Sequence, residues 1–246
     1  MEISWSIVKE IIRKRNIFIE AVLGRSACVG LDVLQTKIKN NQGKIRFINV
    51  QKGRLDLLLS WLNGAKRPKA KLIKPYIISR GVFGLIKQQE SLKWLKIKKA
   101  KYLFMDTWSE LSDQKFTHKK DGWSFCCSFT DINFKSNFSD IFSCEGWLSD
   151  EEIVYYYKTF FEWWRQHYVG KKIIIMFYSP KFDQREKFKE RVYRINQLIS
   201  RVSANYGFVA TLELDDNQVF IEPFDYHYSG KTLQAFVDKW SELEKN

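Results

Sequence analysis

Residues 171–179, KKIIIMFYS, decide the fold class of this chain. Three consecutive Ile followed by Met, Phe and Tyr leave no polar position on either face of an extended segment, and the run is too short for an independent helix. A strand of that kind must be covered on both sides, as parallel sheets between two layers of helices are. The flanks agree. Upstream, residues 149–168 read as a strongly aromatic helix, opened by Ser149 with Glu152 three positions later, the pattern of a capping box. Downstream, residues 184–206 carry the apolar stripe of a long amphipathic helix.

The same alternation continues outward. Strands are expected at residues 16–23 (NIFIEAVL), 44–50 (KIRFINV), 101–108 (KYLFMDTW) and 208–214, and helices at 54–62 (RLDLLLSWL), 82–95 and 232–243. GRSACVGLDVLQTKI reads as a turn entering a helix, and AKRPKAKLIKP as a basic surface loop. Residues 2–15 place Ile3, Ile7 and Ile11 on one stripe of a surface helix, a segment also compatible with peripheral contact to an anionic membrane. Residues 112–148 show no clear period apart from a strand around WSFCCSF, and are expected to form an irregular insertion, a lid or hairpin on the substrate side. The expected architecture is α/β: a single three-layer α/β/α domain over residues 1–246 with a mainly parallel, flavodoxin-like sheet.

Composition narrows the function classes. Of 246 residues, 45% are hydrophobic and 16% aromatic, which excludes a disordered or fibrous chain. Lys and Arg number 41 against 28 Asp and Glu, a net charge of +13 that favours anionic partners. Cys28, Cys126, Cys127 and Cys144 form neither a C-x-x-C pair nor a Cys/His ligand set, so no disulfide framework and no metal site is expected. No uninterrupted apolar run has the ~18 residues of a membrane span, and the N-terminus lacks a signal-peptide core, so a cytoplasmic protein is expected, with contact to the inner membrane face allowed.

In open parallel sheets the chemistry lies beyond the carboxyl ends of the strands. There the first loop offers Ser26, followed by Gly30, at the mouth of a helix; a Ser in that place serves as a helix cap or as an exposed nucleophile. Near the other end, Asp225 and His227 precede the last helix, and an Asp beside an imidazole able to deprotonate a Ser hydroxyl is the logic of an acyl-transfer triad. His118, in a polar loop, and His167, near a helix C-terminus, read as structural or solvated. Cys28 is a competing nucleophile, although a free Cys in this setting is more often packing.

These segments resemble the SGNH/GDSL hydrolase superfamily. VLGRSACVG resembles its first block, with Gly four residues after the Ser; INVQKGRLDLLLSWL resembles the second, with Gly53 in the place of its glycine; and DYHYSGKTLQAFVDKW resembles the last. The resemblance implies Ser26 as nucleophile, His227 as general base, Asp225 as its acidic partner, and the backbone N–H groups of Ser26 and Gly53 as part of an oxyanion hole. Three departures stand out. Arg25 replaces the Asp before the nucleophile, which puts a cation beside the site. One residue rather than two separates Asp225 from His227. The Asn of the third block is absent, leaving Thr107, Trp108 or Ser109 as oxyanion donors in its stead.

The function implied is a serine-dependent esterase or O-acetyltransferase acting on carbohydrate, in bacterial surface or capsular polysaccharide biosynthesis, through an acyl-Ser26 intermediate. No cofactor is required, and acetyl-CoA is an eligible acyl donor. The substrate would be a carbohydrate, anionic if the basic charge is used. Trp123, Trp147, Trp163 and Trp164 are available to stack on sugar rings, with core packing the preferred role for the last two. The alternatives are a non-catalytic scaffold in polysaccharide assembly and a nucleic-acid-binding domain; the second lacks any recognisable recognition module.

Overall fold

The computed structural model describes residues 20–40, 45–91, 100–134, 137–221 and 227–244. The stretch that decides the fold becomes β7 (Lys172–Met176), in which Ile173 and Ile175 are wholly buried. It lies within a five-stranded sheet with β1 (Glu20–Arg25), β2 (Ile45–Asn49), β3 (Ala100–Asp106) and β8 (Val209–Leu212). All four pairings are parallel and the order is β2-β1-β3-β7-β8, the flavodoxin-like arrangement. Val22 faces Phe47, Leu23 faces Leu103 and Phe104 faces Ile174, so apolar residues from neighbouring strands stand side by side.

Helices cover both faces of this sheet. On one, α1 (Cys28–Asn40) packs with the last helix, which spans Gly230–Leu243. Trp240 of that helix stacks on Phe104 with ring centroids 4.7 Å apart, and Lys37 of α1 reaches Ser241 Oγ and Glu244 Oε2, each at 2.8 Å. On the other lie α2 (Leu55–Leu62) and the helices Asp150–His167 and Glu186–Ser203. The Ser149 capping box expected at the start of the first of these is present, its hydroxyl accepting the Glu152 N–H. Tyr157, Phe161 and Trp164 from that helix are completely buried. The three-layer architecture is thus in place.

Residues 112–148 depart from expectation. They build a second, antiparallel sheet from β4 (Asp113–His118), β5 (Ser124–Ser128) and β6 (Phe142–Gly146), in the order β5-β4-β6; β5 is the strand expected around WSFCCSF, and β4 and β6 form where irregular chain was expected. It has its own core of Phe116, Trp123, Phe125, Cys127, Phe138 and Phe142. The basic stretch expected to be a surface loop closes that core: α3 (Ala70–Ile73) buries Ala70 and Ile73 completely, and α4 (Arg80–Ser91) adds Ile86. Isolated aromatics among polar residues supply this core, which is why no period was visible along the chain. The remaining helices are α5 (Trp108–Ser112), α6 (Phe138–Ile141), α7 (Asp150–His167), α8 (Glu186–Ser203) and α9 (Gly230–Leu243). Among the described residues no helix is long and apolar enough to cross a membrane. The expected helix at 2–15 lies outside the described residues.

Candidate active site

At the carboxyl end of β1 the chain turns through Ser26 and Ala27 into α1, and two polar residues from neighbouring strands hold that turn. Asn49, at the end of β2, clamps Ser26: its Oδ1 accepts the Ser26 N–H at 3.0 Å and the Ser26 hydroxyl at 3.3 Å, and its Nδ2 donates to the Ser26 carbonyl at 2.9 Å. Gly24 permits this clamp, because a Cβ there would stand 2.5 Å from Asn49 Oδ1. Asp106, at the end of β3, accepts the Ala27 N–H at 2.7 Å and the Trp108 N–H at 3.0 Å, while the Tyr178 hydroxyl lies 3.4 Å from it. Burial pushes the Asp106 carboxyl up to about 7, against the opposing pull of those two N–H groups and of the Arg25 guanidinium.

Arg25 does not put a cation beside the site. Its side chain turns inward and is 1% exposed. It pairs with the buried carboxylate of Glu110, donates to the Asp106 carbonyl at 3.0 Å and also donates to the Gly53 carbonyl. Glu110 in turn accepts the Leu55 N–H at 3.2 Å and the Tyr157 hydroxyl at 3.3 Å. The charge next to Ser26 is thereby converted into a neutral, buried brace between β1, α5 and α7.

A cavity of about 480 Å³ opens above this turn, between the carboxyl end of the parallel sheet and the second sheet. Cys28 at the start of α1, Trp108 after β3, Tyr178 and Phe182 after β7, Thr130 after β5 and His227 before α9 all border it. His227 is held by its neighbour Tyr228, which is 3% exposed and accepts the Ser179 N–H at 3.1 Å on its phenol oxygen. The imidazole Nε2 lies 3.9 Å from Asp32 Oδ2, one turn along α1 from Cys28. The expected acidic partner, Asp225, lies outside the described residues.

Ser26 itself is 1% exposed and does not border the cavity, and both expected oxyanion N–H groups are engaged within the protein. That of Ser26 goes to Asn49, and that of Gly53 donates to Ser109 Oγ at 3.1 Å. Of the three substitutes for the missing Asn, the Trp108 backbone N–H is committed to Asp106, while the Ser109 hydroxyl accepts the Gly53 N–H and keeps its own proton to donate. The Thr107 hydroxyl is buried and has no hydrogen-bond partner among the described residues. Cys28 is exposed as a residue, yet desolvation of its sulfur raises the thiol above its ordinary range; the Val29 N–H works against this, and Asp106 and Asp32 add to it. That disfavours the thiolate a Cys nucleophile needs.

Several other expectations resolve simply. His118 stacks on Trp123 at 4.8 Å and His167 on Trp163 at 4.5 Å, both away from the cavity. Trp123 and Trp164 are core residues, 1% and 0% exposed, and neither is free to stack on a sugar. Trp147 remains exposed. Sequence reasoning missed Asn49, Asp106 and Asp32. The first two were legible as polar residues at the carboxyl ends of expected strands, whereas the contact of Asp32 with a residue nearly two hundred positions away left no local signal.

No family model matches the chain, and no curated protein matches it. Among solved structures it is similar to a Streptococcus pneumoniae protein provisionally assigned as a platelet activating factor, with 10% identity, 98% of this chain and 99% of that one covered, and a TM-score of 0.49. It is also similar to LAE5, an alpha/beta hydrolase from the metagenome of Lake Arreo, Spain, with 12% identity, 92% and 94% coverage and a TM-score of 0.45. A family 3 carbohydrate esterase from Clostridium thermocellum shares 10% identity over 91% of this chain and 94% of that one, with a TM-score of 0.37. Likenesses this distant assign no activity.

Proposed function

We propose that this protein is an esterase-like acyl-transfer enzyme of the SGNH/GDSL type, with Ser26 as nucleophile and His227 as its general base. One observation carries the reading. His227, from the far end of the chain, borders the same cavity as Cys28, two residues from Ser26, and has a carboxylate at 3.9 Å, at the end of a parallel sheet where such folds place their chemistry.

In this reading Ser26 Oγ rotates off Asn49, attacks the acyl carbonyl carbon and passes its proton to His227 Nδ1, the ring nitrogen that does not face Asp32. The tetrahedral intermediate collapses, the bond to the leaving alcohol or thiol breaks, and that group takes the proton from His227. The acyl-Ser26 is then attacked by water or by a carbohydrate hydroxyl, the choice depending on how well the cleft excludes water. Asp32 would orient the imidazole, in place of or together with Asp225. Thr107 and Ser109 are the favoured oxyanion donors of the three candidates, because the Thr107 hydroxyl has no partner among the described residues and the Ser109 hydroxyl serves only as the acceptor of the Gly53 N–H.

Intact-mass analysis after incubation with acetyl-CoA, p-nitrophenyl acetate or p-nitrophenyl octanoate tests this reading. An acyl adduct on Ser26, lost in Ser26→Ala and strongly reduced in His227→Ala, is expected. Ester turnover that survives in either purified variant would remove it.

A second reading has its own support. Ser26 is enclosed, and its hydroxyl and the two N–H groups of the expected oxyanion hole are satisfied internally. An SGNH-like fold retained as a non-catalytic part of a polysaccharide assembly would look the same, and the absence of any acyl adduct would favour it. Binding to nucleic acid rests on charge alone; steeply salt-dependent anisotropy with labelled RNA or DNA would be its signature.

A further inference from the structure

A second, larger cavity of about 620 Å³ adjoins the one at His227. Leu111, Gln114, Phe129, Trp147 and Arg191 border it, and Ser112, Ser128, Thr130, Arg185 and Phe188 border both. Glu186 and Lys187 border it as well, and most of its polar side chains are already engaged: Arg185 pairs with Asp183 and Glu186 with Lys189. The Ser112 hydroxyl donates to the Trp108 carbonyl at 3.1 Å, the Ser128 and Thr130 hydroxyls pair at 3.0 Å, and Gln114 Oε1 accepts the Cys144 thiol at 3.0 Å. What the walls still offer is apolar surface: Trp147 and Phe129 are 51% and 47% exposed.

The wall is also built in advance. The Arg191 guanidinium lies 4.7 Å from the centre of the Trp147 ring, while its Nε and Nη2 donate to the carbonyls of Leu111 and Glu110 at 3.2 and 2.7 Å. Apart from Lys187 and the Gln114 amide group, a sugar ring in this space would find few partners for its hydroxyls, and unpaired polar groups are costly to enclose. A chain of methylene groups needs none, and a cavity of this size lies within the range that encloses small ligands.

We propose that this compartment receives the hydrocarbon chain of the substrate's acyl group, so that medium-chain acyl esters or thioesters are handled in preference to acetyl ones. The direction of the assignment rests on the acyl-transfer reading above. The affinity of the compartment for an alkyl chain does not, and it is measurable without turnover.

The test is isothermal titration calorimetry of the whole chain with sodium dodecanoate and, at matched ionic strength, sodium acetate. Saturable binding of dodecanoate with a negative heat-capacity change is expected, with none detectable for acetate. Trp147→Lys and Phe129→Lys should each weaken dodecanoate by about tenfold or more, as loss of a principal aromatic contact does. Each substitution adds a positive charge, so a site that merely attracts carboxylate would bind dodecanoate more tightly instead. Equal binding of the two anions, or dodecanoate binding that neither variant weakens, overturns the assignment. Parallel assays with p-nitrophenyl octanoate and p-nitrophenyl acetate separate the two claims. Chain binding without turnover of either ester leaves the compartment and removes the acyl-transfer reading. Acetyl-ester turnover without chain binding does the reverse.

Discussion

Gly30 and Asp106 are in such close approach that the Cβ of any other residue at position 30 would fall inside van der Waals contact of Asp106 Oδ2, and only 2.9 Å from Ser26 Cβ. The first turn of α1, the end of β3 and Ser26 therefore meet at one point. The spacing from Ser26 to Gly30 that resembles a hydrolase motif has here a packing cause.

Gly30→Ala should accordingly destabilise the protein, although Ala is by ~1 kcal/mol the better helix former. Overpacking of this kind costs about 1–3 kcal/mol, and Asp106 has to give up its place against the Ala27 N–H. A thermal midpoint several degrees lower, measured by circular dichroism, is the expected result; an unchanged or higher midpoint contradicts it.

The raised carboxyl of Asp106 links stability to pH. Its value of about 7 in the folded protein lies above the ~4 of an unfolded Asp, so between those limits the folded state holds more protons. That contribution is fully present below the unfolded value and is lost as pH rises through the folded one. Stability should fall between about pH 4 and pH 7 with a slope of at most about 1.4 kcal/mol per pH unit from this group. Urea titrations at several pH values should show that slope in the natural protein and a flatter profile in Asp106→Asn.

Arg25 and Glu110 form an ion pair with both side chains essentially excluded from water. Removing one partner leaves the other charge buried alone, a loss of about 3–5 kcal/mol. Arg25→Met should therefore unfold at markedly lower urea, and Arg25→Met combined with Glu110→Met should regain much of the loss. A double variant whose loss equals the sum of the losses of Arg25→Met and Glu110→Met would show that the pair is not coupled.

Asn49 makes three hydrogen bonds to Ser26. Asn49→Ala should cost about 1–3 kcal/mol, because it leaves an enclosed N–H and carbonyl without partners. Denaturant unfolding measures the cost. A loss no larger than that of an exposed Asn would mean that water replaces the side chain.

Asp32→Asn should lower ester turnover by at least about tenfold, part of the ~10²–10⁴ that a positioned general base contributes, with little change in KM. Steady-state kinetics with p-nitrophenyl octanoate tests this. Unchanged kcat would leave orientation of His227 to the segment that contains Asp225.

The two sheets show how legible the fold was. Ile173, Ile174 and Ile175 admit one environment, because consecutive branched apolar residues cannot place alternate side chains in water, so β7 and the parallel layer could be read locally. β4 could not. In DQKFTH only Asp113 and Phe116 are buried, and the strand exists because Phe116 packs on Phe125 and Phe138, contributed by other elements. Likewise Ala70 and Ile73 sit in a Lys-rich stretch whose composition signals solvent, and only the second core explains their burial.

The same division runs through the site. Periodicity and strand termini were enough to single out the turn after β1 that carries Ser26 and the segment before the last helix that carries His227, because the handed alternation of strand and helix leaves few topologies. Side-chain direction was not accessible in that way. Arg25 turns inward because Glu110 waits 85 positions away, and the Ser26 hydroxyl faces Asn49, 23 positions on, instead of open solvent. A backbone path follows from local preferences summed along the chain. Whether a polar side chain finds its partner inside or in water depends on desolvation and hydrogen bonds supplied by distant residues, and those exist only once the layers have closed.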